Sequence, residues 1–110
     1  MIIVECQISV KKDGYYFLGP LKTELLNEIR QSGSLSGAAK KLKISYQHAW
    51  TTIEEMNRIA SSPIVNKQRG GINGGGAEIS DYGEKILREY KAIENQLKKF
   101  VDQINAEISF

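Results

Sequence analysis

Tyr46, Gln47 and His48 follow a serine, Ser45, and Thr51 and Thr52 come one helical turn later, in the stretch SYQHAWTT. These side chains carry hydroxyl, amide and imidazole groups, which donate and accept hydrogen bonds at base edges. A glutamine amide pairs bidentately with adenine. Further along, Lys67 and Arg69 lead into GGINGGG, five glycines in seven residues. Cations there suit phosphates or a minor groove. The glycines let backbone N–H groups approach phosphate closely. This run is not a nucleotide-binding P-loop, because no Lys-Ser or Lys-Thr pair follows it.

Other chemistry is thin. Cys6 is the only cysteine and His48 the only histidine. No Ser-His-Asp set, Cys-His set or carboxylate pair is available for catalysis, so no catalytic residue, metal site or cofactor is expected and the chain reads as a non-enzyme. Adjacent Glu54 and Glu55 read as solvated. Cys6 reads as a buried structural thiol, and Trp50 as core. His48 is either a DNA contact or a plain surface residue. Tyr46 either touches DNA or stacks on the turn before it.

The charge distribution supports a local phosphate-binding surface. Residues 1–33 carry four basic and four acidic side chains, residues 34–76 six basic and two acidic, and residues 77–110 five basic and seven acidic. The net values are 0, +4 and −2, so a central basic block adjoins a mildly acidic tail.

The elements that must position these residues follow from periodicity and punctuation. IIVECQISV over 2–10 and YYFL over 15–18 flank Asp13-Gly14, a hairpin turn signal. Pro20 suits the first turn of a helix carrying Leu21, Leu25, Leu26 and Ile29, which Ser32-Gly33 stops. Ser34 or Ser36 caps a second helix with Leu35, Ala38, Ala39 and Leu42 on its apolar face. Ser45 caps a third, whose apolar face is traced by Ala49, Trp50, Ile53, Met56, Asn57 and Ala60. IVNKQR, the glycine run and AEIS then give a strand, a loop and a second strand. Ser80, Asp81 and Glu84 open a last helix, expected to run to about Glu107. The predicted fold is mainly α with a small β component: a winged helix-turn-helix with an N-terminal β-hairpin over 1–18. The three-helix core spans 20–62, the wing 64–80 and a long dimerisation helix 81–108, in one domain covering 1–110.

That last helix, some 27 residues or roughly 40 Å, outruns a core about 25–30 Å across. Tyr90, Ile93, Leu97, Phe100, Val101 and Ile104 continue its apolar stripe. A bare stripe of that size predicts burial against a second copy in a homodimer. The alternative is that the hairpin 2–18 folds back over it. No apolar run approaches the roughly 20 residues of a membrane span. The N-terminus lacks the basic region and cleavage site of a signal peptide, so a cytoplasmic protein is expected.

SGSLSGAAKKLKISYQHAWTTIEEMN followed by RGGINGGGAEISDYGEKIL resembles the N-terminal DNA-binding domain of the ModE family of molybdate-responsive regulators. The matching features are SGSLSGAAK, ISYxxAW, IxEMN, the glycine run and the Ser-x-Tyr-Gly opening of the last helix. The resemblance covers residues from about 20 to 100. It implies a winged helix, dimerisation through the terminal helix, and operator binding by Ser34, Ser36, Ser45, Tyr46, Gln47, His48, Thr51 and the wing from Arg69 to Gly76, including Asn73 and Gly74. There are two departures from the family pattern. Gln47 stands where some relatives carry lysine. The sequence stops at Phe110, where the family's molybdate-binding domain would begin, so a stand-alone domain without a molybdate response of its own is expected. The expected function is sequence-specific binding of double-stranded DNA by a transcription regulator, with helix 45–61 in the major groove and the wing on backbone or minor groove. A protein-interaction adaptor and an anion-responsive regulator are the alternatives.

Overall fold

The computed structural model describes residues 1–67 and 76–110. Among them the elements are β1 (Val10–Lys12), β2 (Tyr15–Leu18), α1 (Pro20–Ser32), α2 (Leu35–Leu42), α3 (Tyr46–Ile59), β3 (Val65–Lys67), β4 (Ala77–Ile79) and α4 (Asp81–Glu107). Punctuation residues set the helix ends. Pro20 occupies the first turn of α1, and Gly33 closes it in the left-handed region at φ 73°, its N–H bonded to Ile29 O at 2.8 Å. Three serines cap the remaining helices: the Ser34, Ser45 and Ser80 hydroxyls accept from the N–H groups of Gly37, His48 and Gly83. Of the two serines that could cap α2, Ser34 does so.

The turn from α2 to α3 is closed by backbone bonds that need no glycine. Lys43 takes φ 59°, and the N–H of Ile44 reaches back to Ala39 O at 3.0 Å. This is the Schellman pattern, with Ile44 packed against the core as its apolar partner.

α1 packs on α2 and α2 on α3. Leu25, Leu26, Ile29, Ala38, Ala49, Ile53 and Met56 form the fully buried centre. β3 and β4 pair antiparallel, with Val65 opposite Ile79 and Lys67 opposite Ala77. Two contacts seat this hairpin on the core. The N–H of Ala77 donates to Gly33 O at 3.0 Å. Asn57 of α3 accepts from the N–H groups of Ile64 and Val65 and donates to Val65 O. α4 begins so close to β3 that a Cβ on Gly83 would lie 2.4 Å from Ile64 O.

Two expectations change at the N-terminus. The strand expected over 2–10 starts only at Val10. Asp13 and Gly14 at φ 52° and 84° make the tight turn, but β2 ends where Gly19-Pro20 starts a helix, so residues before Val10 have no partner strand. They lie along α4 instead. The Val4 N–H donates to Asn105 Oδ1 at 2.7 Å, Asn105 Nδ2 returns a bond to Val4 O, and the Tyr90 hydroxyl donates to Ile8 O. Cys6 on this segment is exposed and not a buried thiol. The segment touches α4 through Val4 and Ile8, and the residues between them, Cys6 included, stay exposed.

The radius of gyration is 16.3 Å and the extents are 57 × 29 × 22 Å, against about 13 Å for a compact domain of this length. Accessible surface is 7726 Å², where a compact monomer of 12.3 kDa exposes about 6,100 Å². Among the described residues no helix is long and apolar enough to cross a membrane.

Candidate nucleic-acid interface

Helical geometry divides α3 sharply. Ala49, Ile53 and Met56 are buried, while Gln47, Thr51, Glu54 and Arg58, at spacings of three and four, share the opposite, exposed face. Tyr46 and His48 flank that face at the N-terminal end and are also exposed. The Gln47 amide lies 3.3 Å from the Thr51 hydroxyl, to which it donates, and the Thr52 hydroxyl donates to His48 O at 2.8 Å. Thr52 is half-buried and its proton is engaged with its own helix. Gln47, Thr51 and His48 keep their polar ends toward solvent.

Of the serines, Ser34 and Ser45 use an oxygen lone pair to cap helices, which leaves each hydroxyl proton free to donate. Ser36 is exposed on the first turn of α2. Basic side chains border the turn: Lys40 and Lys41 end α2 and Lys43 follows, all exposed. The second end of α3 is fixed by Lys12 of β1, whose Nζ donates to Ile59 O at 2.9 Å and Ser61 Oγ at 2.8 Å. A cation there also complements the helix dipole.

The wing strand β3 runs beside α3, and here two readings of the sequence change. Trp50, expected in the core, is 38% exposed. It lies about 100° around the helix from Ala49, at the edge of the buried stripe. The Lys67 ammonium sits 4.1 Å from its ring centroid. Glu54, expected to be solvated, forms an ion pair with Lys67. Desolvation between strand and helix lowers the Lys67 pKa from the ordinary 10.5. Beside this trio a shallow cleft is lined by Trp50, Thr51, Glu54, Glu55, Asn57 and Arg58. Arg69, Asn73 and Gly74 lie outside the described residues.

The stripe on α4 is split. Tyr90 is only 3% exposed and belongs to the core of its own chain, so the open face of the stripe starts beyond it. Ile93 and Phe100 are exposed and Leu97, Val101 and Ile104 half-buried, with Leu97 and Val101 facing the N-terminal segment across a groove. Residues 3–8 and this half of α4 border a groove of about 540 Å³. The segment therefore covers one flank of the stripe and leaves the rest open.

No protein-family model matches the chain. Three curated relatives match it over most of its length: transcriptional regulator ModE of Haemophilus influenzae, 39% identical over 90 residues; molybdenum transport protein ModE of Azotobacter vinelandii, 33% over 103; and the DNA-binding transcriptional dual regulator ModE of Escherichia coli K12, 34% over 101. The matches cover 82, 94 and 92% of this chain, which spans only 35–38% of those proteins. Among solved structures, full-length LTTR LysG from Corynebacterium glutamicum with bound effector arginine aligns with a TM-score of 0.58 at 20% identity, covering 84% of this chain and 31% of that one. That likeness shows the winged helix-turn-helix fold.

Proposed function

We propose, since the chain belongs to the ModE family, that it binds duplex DNA sequence-specifically as a homodimer and regulates transcription. One observation carries this reading above all: α3 turns an uninterrupted polar face to solvent between the basic end of α2 and the wing. A helix of this kind enters the major groove by its N-terminal residues. There Gln47 reads a base edge, with Thr51 one turn behind it and Tyr46 and His48 at the rim. Ser34 and Ser36, at the start of α2, lie where a hydroxyl meets a phosphate. Arg69, Asn73 and Gly74 belong to the wing contact that the ModE resemblance implies. The open half of α4, from Ile93 to Ile104, pairs with its copy.

Fluorescence anisotropy with genomic duplexes across a salt series tests this. Affinity falls steeply with salt, by a slope of about −0.9 per phosphate contacted. Binding that ignores salt, or absence of binding to every fragment, overturns the proposal.

A further inference from the structure

Glu54 stands at the centre of the face that the proposed function turns toward DNA, in line with Gln47, Thr51 and Arg58. A bare carboxylate there would be repelled by phosphates on both sides of the groove. The structure supplies its counter-charge from the wing: Lys67 on β3 reaches across to the Glu54 carboxylate and lies over the Trp50 ring. The Lys67 side chain is the less exposed partner, at 24% against 45% for Glu54. An ammonium that is partly desolvated, ion-paired and stacked on an indole is engaged three ways within its own chain.

We propose that Lys67 is a positioning residue and not a phosphate contact: it neutralises Glu54 on the DNA-facing side of α3 and, with Trp50, locks the wing strand to the recognition helix. The inference rests on the DNA-binding reading for its consequence, while the lock itself can be read without DNA. Both the wing and the helix must meet DNA in one fixed relative orientation, and this trio joins them in the middle of α3. Asn57, on the same face of α3, holds the start of the strand through Ile64 and Val65, so β3 is fastened to α3 at two points along its length.

The test uses Lys67→Met, which keeps an apolar stem over Trp50, Glu54→Gln, and the double variant. Trp50 is the only tryptophan, so its emission reports the lock in the free protein. Both single variants shift that emission. The probe for binding is a labelled duplex enriched from a random pool by the wild type, or the pool itself if nothing is enriched. Lys67→Met weakens binding about tenfold through the uncompensated carboxylate, with the salt slope unchanged. Adding Glu54→Gln brings the double variant to within about threefold of Glu54→Gln alone. Equal losses from Lys67→Met in both backgrounds, with the slope falling by about one, mark a phosphate contact and overturn the proposal. Unchanged Trp50 emission in both single variants overturns it as well. A wild type that binds no duplex defeats the DNA-binding reading, and Trp50 emission still decides whether the lock exists.

Discussion

Gln47 is the single side chain on which the proposed readout leans most. Its amide is exposed in the first turn of α3, and its side-chain partner among the described residues is the Thr51 hydroxyl at 3.3 Å, a long contact that a base edge can replace. Gln47→Ala is therefore expected to cost about 1–3 kcal/mol of binding and to relax sequence preference at one base pair. A competition assay against duplexes substituted singly at each position reads this. An unaltered preference would remove Gln47 from the base readers. At this scale the caps were legible in the sequence, since a serine before an apolar-periodic run satisfies orphan N–H groups locally. Trp50, Glu54 and Cys6 were not, because their environment depends on elements distant in the chain. Trp50 sits at the margin of a helical stripe, where the wing, 15 or more residues later, decides whether it is covered. The one available signal was the alternation of IVNKQR, which places Lys67 on the same side of its strand as buried Val65 and so toward α3.

The wing depends on Asn57 of α3. Asn57 satisfies the N–H groups of buried Ile64 and Val65 and the carbonyl of Val65, so Asn57→Ala strands several polar groups. Denaturant unfolding should show a loss of about 2 kcal/mol; a loss under about 0.5 kcal/mol would mean water replaces the amide. The helix order, the wing and the extent of α4 could be read from periodicity and turn residues. The N-terminal segment was legible only in part: folding back over the α4 stripe was one of the two alternatives, but the β-branched residues among 2–9 suit a strand and find an α-helix as neighbour. Tyr90 ties that segment to α4. Burial, and secondarily the charge of Glu94, raise its pKa above the ordinary 10.0, while the nearby Thr23 hydroxyl opposes them. The fold thus favours the neutral phenol. This contribution is complete below pH 10, the unfolded value, and is lost as pH rises through the raised one. The thermal midpoint should fall above about pH 10, and Tyr90→Phe should remove part of that fall. An identical alkaline profile for Tyr90→Phe would contradict the assignment.

At the scale of the whole molecule, α4 stretches the chain to 57 Å and leaves Ile93 and Phe100 exposed, beside half-buried Leu97 and Val101. The N-terminal segment and the open stripe together suit a second copy, so Leu97→Asp should convert a dimer to a monomer in sedimentation equilibrium at micromolar concentration. A dimer indifferent to Leu97→Asp would place the interface elsewhere. Two-fold pairing through α4 carries a consequence for the DNA itself: two copies of α3 would face successive major grooves, about 34 Å apart. Selection of bound duplexes from a random pool, followed by sequencing, measures this directly. The expected result is an inverted repeat whose half-site centres lie about 10 base pairs, or a multiple of that, apart. A pool that shows no enrichment after repeated rounds would contradict it.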